Sequence, residues 1–123
     1  MDRLEVFEQD RKRMNQRILD SGHLGIRRFF ALDSQAYAEG ELTATTKELL
    51  GLVASAVLRC NDCIDYHLVQ CVQEGLTDAQ LTEALNVALV VGGSIVIPHL
   101  RHAYETIDAL RKLQKSGRPL TLD

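Results

Sequence analysis

The spacing of apolar residues most restricts the fold of this chain. Apolar side chains recur every three or four positions, and no segment shows the alternation of apolar and polar residues that marks a half-buried strand. Capping residues and glycines divide the chain into six such segments. The pattern predicts helices over about residues 2–20, 24–38, 43 or 45 to 59, 61 or 62 to 75, 78–91 and 95–115, and a tail at 118–123. The predicted fold class is therefore all-α.

The chain has 123 residues, which is enough for one domain and too few for two independent cores. We therefore expect a single domain over residues 1–123. The 14 Lys and Arg residues against 17 Asp and Glu leave no cationic excess for nucleic acid or an anionic membrane. The charged N-terminus lacks the apolar region of a secretory signal, and the longest apolar stretch, residues 85–98, is short and interrupted. These features predict a cytoplasmic protein.

Two of the three cysteines, Cys60 and Cys63, form a C-x-x-C motif, and His67 follows four residues later. In a reducing compartment such a pair is more often redox-active or metal-binding than structural. If a helix begins near Asn61, then Cys63, His67 and Cys71 share one face and Cys60 precedes the helix N-terminus. The positive end of that helix and a nearby imidazolium both stabilise a thiolate. The motif thus predicts a dithiol that alternates between thiols and a disulfide.

The same residues also allow plainer interpretations. A C-x-x-C motif can be half of a zinc site, but the further ligands on offer, His67, Cys71, His99 and His102, do not make a second pair of the familiar spacing. Cys71 is expected to be a small apolar core residue. His99 and His102 are expected to be partly buried or to lie at an interface, and His67 taken alone is an ordinary helix histidine.

Glu48 has two alternative roles that depend on where the third helix begins. If Thr45 is the N-cap, Glu48 completes a capping box. If Thr43 is the N-cap, Glu48 lies within the helix, in line with Leu52 and Ser55 on an apolar-leaning face. A partly desolvated carboxylate there can pass protons to a thiol or an imidazole. Spacing alone favours the capping role.

The acid, the two cysteines and the histidine also form one joint pattern. It consists of Glu48, eleven residues, Cys60, two residues, Cys63, three residues and His67, followed by Gly75-Leu76-Thr77-Asp78 and Glu83-Ala84-Leu85. From about residue 40 to 115 the chain resembles the AhpD-like, carboxymuconolactone decarboxylase-like family, and the joint spacing is much more specific than its parts. The resemblance implies a helical fold with the cysteines on a central helix pair. It also implies a subunit that assembles, commonly through dimers into trimers or hexamers.

The presence of both cysteines resembles the alkylhydroperoxidase branch of that family. The resemblance implies that Cys63 attacks a hydroperoxide, that Cys60 condenses with the resulting sulfenic acid, and that Glu48 and His67 relay protons. It implies no metal and no cofactor. Reduction would come from a partner dithiol such as a lipoyl domain or a thioredoxin-like protein. Proximity to the helix terminus instead favours Cys60 as the attacking sulfur, so the order of attack stays open.

One position departs from the family pattern. Well-studied hydroperoxidases of the family have a second histidine where Asp62 stands here, and an anion between the cysteines opposes thiolate formation unless Asp62 caps the helix. This departure leaves room for a general dithiol oxidoreductase. Two further hypotheses are a decarboxylase-type enzyme of small acids with Glu48 and His67 as acid and base, and a non-enzymatic oligomer that senses redox state or binds zinc. The single short domain favours self-assembly through apolar segments such as residues 85–98.

Overall fold

The computed structural model describes residues 2–122, which form six α-helices and no strand. The helices are α1 (Arg3–Leu19), α2 (Leu24–Ala36), α3 (Ala44–Val57), α4 (Asn61–Gln73), α5 (Asp78–Gly92) and α6 (Ile97–Lys115), with a short 3₁₀ turn at Ser94–Val96 before α6. The predicted all-α, single-domain fold is confirmed. Within residues 2–122 no helix has the length and apolar character needed to cross a membrane.

The helix ends lie close to the positions that the sequence predicts, and local hydrogen bonds explain them. Thr43 is the N-cap of α3, where its hydroxyl accepts a hydrogen bond from the Thr46 N–H at 3.1 Å. Thr77 and Gln80 form the predicted capping box at the start of α5. Gly75 follows α4 with a φ of +86°, a left-handed conformation that glycine adopts without steric cost. Because the N-cap is Thr43 rather than Thr45, every later residue of α3 lies two positions further from the helix start than a Thr45 cap would place it.

The core lies between α3, α4, α5 and α6. Helix α3 packs against both α4 and α5, and α4 also packs against α6. Side chains from these helices exclude water between them, which is the main stabilising contribution to the fold. The largest fully buried apolar side chains on these helices are Leu52, Ile64, Leu68, Val69, Leu81, Leu85 and Ile107. This arrangement places α3 and α4, the two helices with the sequence motif, side by side at the centre.

A buried carboxylate ties α4 to α1 and α6. Asp65 is 2% exposed, and its two oxygens accept hydrogen bonds from Arg3 at 2.7 Å, from His102 at 2.9 Å and from Thr106 at 2.6 Å. Arg3 also donates to Thr106 at 2.7 Å. A buried charge with this many donors is stable where an unpaired one would not be. The network fixes α4 relative to its neighbours two residues after Cys63.

Helix α2 stands apart from this core. It contains no buried residue, and an open cleft of about 1450 Å³ lies between it and α1. The apolar stripe predicted for α1 is consequently covered only at its N-terminal end, where Leu4 is buried, whereas Met14 and Ile18 are exposed. Residues of this chain thus leave one side of α1 and most of α2 in contact with solvent.

Residues after α6 form no helix, as the sequence predicts for the tail, but they are packed against the fold. Leu120 and Leu122 are buried. The Leu120 carbonyl accepts a hydrogen bond from Gln73 at 2.6 Å, and Arg118 pairs with Glu5 at 2.6 Å. These contacts hold residues 118–122, the predicted tail, against α1 and α4. Residue 123 lies outside the described residues.

Candidate functional site

The two cysteines of the motif are joined by a disulfide at the start of α4. Cys60 is the N-cap, and its sulfur accepts a hydrogen bond from the Cys63 N–H at 3.2 Å. Cys63 lies in the first turn and is exposed, while Cys60 is half-buried. The predicted position of Cys60 just before the helix N-terminus is confirmed. Both sulfurs therefore lie at the positive end of a helix dipole, where negative charge on sulfur is stabilised.

The end of α3 determines where Cys60 lies. The Cys60 N–H donates to the Ser55 carbonyl at 3.0 Å, and the Arg59 N–H donates to the Ala56 carbonyl at 3.1 Å. This is the hydrogen-bond pattern of a Schellman motif, which usually has glycine in its left-handed position. Here that position is Arg59, with a φ of +61°. Sequence reasoning missed this turn because arginine gives no signal for a left-handed residue.

A buried acid–histidine hydrogen bond links α3 and α4. His67 Nδ1 is 2.8 Å from Glu48 Oε2, and both side chains are buried. An ionised carboxylate can only accept, so the imidazole Nδ1–H donates. Glu48 therefore lies inside α3 rather than in its first turn, and the interpretation of Glu48 as part of a capping box is wrong. The N-cap is Thr43, and Glu48 lies in the second turn of α3, where it contacts His67 of α4.

The pair is enclosed by three residues that the sequence motif does not include. Tyr66 packs edge-on against the His67 ring, and the Tyr37 hydroxyl lies 3.5 Å from His67 Nε2. Gly51, in the middle of α3, lies against the same ring, because a Cβ added there would come within 2.5 Å of His67 Cε1. The one available sequence signal for Gly51 is a glycine far from either end of a helix, where glycine is unfavourable.

Both tyrosines next to this pair have raised pKa values. Burial raises the pKa of Tyr37, and the negative charges of Glu48 and Asp33 raise it further. Burial and the Glu48 charge raise the pKa of Tyr66 in the same way, although the hydrogen bond from Gln70 and the Arg11 guanidinium, 4.5 Å from the ring centre, oppose this shift. Both phenols therefore stay protonated at neutral pH and can donate a hydrogen bond.

The third cysteine differs from the other two because it is fully buried. Cys71 is a free thiol in the core, as predicted, and it has no exposed surface. Burial raises the pKa of Cys71 to about 12, with a further contribution from the Glu48 charge. It remains a neutral thiol near pH 7 and is unsuited to nucleophilic attack.

The other polar residues singled out in the sequence lie around the start of α4. His99 donates to the Asn61 side-chain oxygen at 2.8 Å and His102 binds Asp65, so both are partly buried as predicted. Asp62 is exposed in the first turn, and the N-cap is Cys60 rather than Asp62. Within residues 2–122, no three His, Cys, Asp or Glu side chains are grouped so that they could hold a metal ion.

The structure thus combines a dithiol with a proton-carrying pair. Cys63 and His67 are one helical turn apart on α4, and residues at this spacing are neighbours on the helix surface. His67 is linked in turn to the buried carboxylate of Glu48. A sulfur placed for thiolate formation next to an imidazole oriented by a carboxylate is an arrangement suited to nucleophilic chemistry with proton transfer.

Known proteins are similar to this chain in sequence and in fold. A solved structure of a carboxymuconolactone decarboxylase family protein from Thermotoga maritima, for which a role in the antioxidative response has been suggested, is 54% identical, with a TM-score of 0.91 over 95% of this chain and 99% of that one. A Legionella pneumophila protein of the same family is 23% identical and shares the fold, with a TM-score of 0.80 over 89% of this chain and 97% of that one.

An uncharacterized protein encoded in the cox locus of Paracoccus denitrificans is 30% identical over 67% of this chain and 74% of its own length. Residues 26–106, which include the acid, both motif cysteines and the histidine, match the carboxymuconolactone decarboxylase family. This match covers more than half of the described residues and includes the whole of α3, α4 and α5. The chain therefore belongs to the carboxymuconolactone decarboxylase family.

Proposed function

We propose that this protein is a thiol-dependent hydroperoxide reductase whose dithiol, Cys60 and Cys63, alternates between the reduced form and a disulfide. The observation that carries the proposal is the position of this dithiol at the start of α4, one turn before the buried Glu48–His67 pair. The antioxidative role suggested for the T. maritima relative agrees with it. A dithiol supplies the two electrons that reduction of one hydroperoxide requires.

In the proposed first step, the Cys63 thiolate attacks the terminal oxygen of the hydroperoxide. The O–O bond breaks, Cys63 becomes a sulfenic acid, and the remaining oxygen leaves as an alkoxide that takes up a proton to become an alcohol. The Cys63 thiol proton passes to His67, whose imidazole is held by Glu48, and from there to the leaving oxygen. We assign the attack to Cys63 because it is exposed, whereas Cys60 is half-buried.

In the second step, the Cys60 sulfur attacks the sulfenic sulfur of Cys63. A disulfide forms, and hydroxide leaves and takes up the Cys60 proton to become water. A partner dithiol, of the kind present on lipoyl domains and thioredoxin-like proteins, then reduces the disulfide by thiol–disulfide exchange and becomes oxidised itself. The exposure of Cys63 gives such a partner access to one sulfur of the bond.

The direct test is the oxidation state of the protein after one equivalent of an alkyl hydroperoxide. We expect fully reduced protein to lose two of its three thiols and two hydrogen atoms in mass, with a Cys60–Cys63 disulfide in the peptide map. Unchanged thiols together with unconsumed peroxide would contradict the proposal. Disulfide formation with a disulfide donor but not with peroxide would indicate general dithiol exchange, which Asp62 between the cysteines favours.

A decarboxylase-type reaction on small acids is the second candidate, because the buried Glu48–His67 pair can act as acid and base without a thiol. Alkylation of Cys60 and Cys63 separates the two candidates. Activity that survives alkylation supports the acid–base reaction, and activity that is lost in a protein that remains folded supports the dithiol reaction.

We also propose that the subunit assembles with copies of itself through the outer face of α2. Leu32 on this helix is 62% exposed and faces away from the cleft, and Phe29, which lines the cleft, is 67% exposed. Apolar surface of this kind gains stability when a neighbouring subunit covers it.

Light scattering on the purified protein is expected to give the mass of three or six subunits. Leu32→Asp should lower that mass, because it would bury an unpaired charge at the contact between subunits, which costs free energy and weakens the assembly. Ser34→Asp is the matched control, because it adds the same charge about 200° around the helix, beside the cleft. A monomeric wild-type protein would contradict the proposal.

A further inference from the structure

Tyr37 reaches the Glu48–His67 pair from outside the sequence motif. It is the C-cap residue of α2, 30 positions before His67 in the chain, and its hydroxyl lies 3.5 Å from His67 Nε2. The centres of the two rings are 5.4 Å apart. Helix α2 itself contains no buried residue, so core packing does not account for the position of Tyr37.

The two nitrogens of His67 have different partners. Glu48 holds Nδ1 at 2.8 Å, so the neutral imidazole keeps its proton on Nδ1 and has its lone pair on Nε2. Any proton that His67 accepts must therefore be bound by Nε2. The Tyr37 hydroxyl faces this same nitrogen.

A phenol can serve both forms of the imidazole. Toward neutral His67 the Tyr37 O–H donates to the Nε2 lone pair, and toward imidazolium the Tyr37 oxygen accepts from Nε2–H. The charged and titratable groups around the ring are Glu48 on α3, Tyr66 on α4 and Tyr37 after α2, and Arg11 on α1 lies over Tyr66. The Tyr37 hydroxyl lies within hydrogen-bond distance of His67 Nε2, whereas Tyr66 contacts His67 through its ring and its hydroxyl accepts from Gln70.

We propose that Tyr37 is a positioning residue that completes a Glu48–His67–Tyr37 hydrogen-bonded chain and fixes the orientation of the His67 ring. When Nε2 takes up the thiol proton, the Tyr37 hydroxyl turns from donor to acceptor, and it turns back when the proton is returned. The expected effect of Tyr37 on turnover rests on the proposed reductase function. The contact with His67 can be tested separately from that function.

The test is Tyr37→Phe, which removes one oxygen and keeps the ring packing. In ¹⁵N NMR of the protein labelled at histidine, the wild-type His67 Nε2 resonance should have the position of a hydrogen-bonded imine nitrogen. In Tyr37→Phe it should shift toward that of a free one, while Nδ1 keeps its proton. Tyr66→Phe, which removes the other hydroxyl beside the ring, should leave the Nε2 resonance in place.

Turnover with an alkyl hydroperoxide should fall about tenfold in Tyr37→Phe, the effect of losing one hydrogen bond in the transition state. Tyr104→Phe, which removes a hydroxyl that bonds Thr82 away from the site, serves as the rate control. An unshifted Nε2 resonance or unchanged turnover in Tyr37→Phe would overturn the proposal. Because the NMR measurement needs no turnover, a wild-type protein that leaves peroxide unchanged would contradict the reductase function and still allow the contact to be tested.

Discussion

Cys63→Ser is expected to lower hydroperoxide turnover to the uncatalysed background, a loss of about a thousandfold or more. A serine hydroxyl at this position is not ionised near neutral pH and cannot form a sulfenic acid, so neither step of the cycle can occur. The measurement is peroxide consumption with excess dithiol reductant. Wild-type rates in Cys63→Ser would show that Cys63 is not the attacking sulfur.

The two other cysteines make this experiment specific. Without added reductant, Cys60→Ser should reduce one equivalent of peroxide and then stop, with a sulfenic acid on Cys63 that a 1,3-dione reagent captures, because no second accessible sulfur of the protein can condense with it. If the sulfenic acid is instead captured on Cys60 in Cys63→Ser, the order of attack is reversed. Cys71→Ala is the matched control, since its buried thiol has a pKa of about 12 and should resist alkylation in the folded protein.

Gly51→Ala is expected to lower turnover about a hundredfold, although it adds only one methyl group to α3. That methyl group would come within 2.5 Å of His67 Cε1 and within 2.7 Å of Nε2, so the ring must move. Movement of the ring breaks its contact with Glu48 and removes the acid–base partner of Cys63, an effect of the size that such partners contribute.

Gly51→Ala should also lower the free energy of unfolding. Alanine in a helix interior is favoured over glycine by about 1 kcal/mol, but leaving Glu48 without its buried partner costs about 3–5 kcal/mol, which is the larger effect. Urea unfolding measures the net result. Gly40→Ala is the control, since its Cβ meets only the Lys47 amine at 3.6 Å, an ordinary contact. Full turnover in Gly51→Ala would contradict the claim that turnover depends on the position of the His67 ring.

The residues on one helix face could be predicted from the sequence, because helical spacing places them without reference to other elements. Cys60 before the helix, and Cys63 and His67 one turn apart on α4, follow from that spacing alone. The family resemblance added Glu48, on a different helix, to the same site. The residues around His67 could not be predicted this way, because Tyr37 reaches it from the C-cap of α2 and Gly51 through the packing of α3 against α4.

Glu48 illustrates why a local pattern can favour the wrong role. Thr43 and Thr45 are both good N-caps, and the capping-box spacing from Thr45 to Glu48 fits as well as any. The role of Glu48 is decided by its burial against His67. Burial depends on contacts between helices, which a short stretch of sequence does not show. The same limit applies to the apolar stripe of α1. Spacing identifies the stripe, but it does not show whether other residues cover Met14 and Ile18.

The N-cap of α4 has a consequence for the redox cycle as a whole. A helix terminus that stabilises a thiolate is itself stabilised by that thiolate to the same extent, because the two effects belong to one thermodynamic cycle. In the oxidised protein a covalent link restrains Cys60 at the helix start, and its sulfur accepts from the Cys63 N–H. In the reduced protein that covalent restraint is gone, and a thiolate at the helix start would replace it with an electrostatic one. We therefore expect the first turn of α4 to stay anchored in both oxidation states, so that the cycle leaves the Glu48–His67 contact in place.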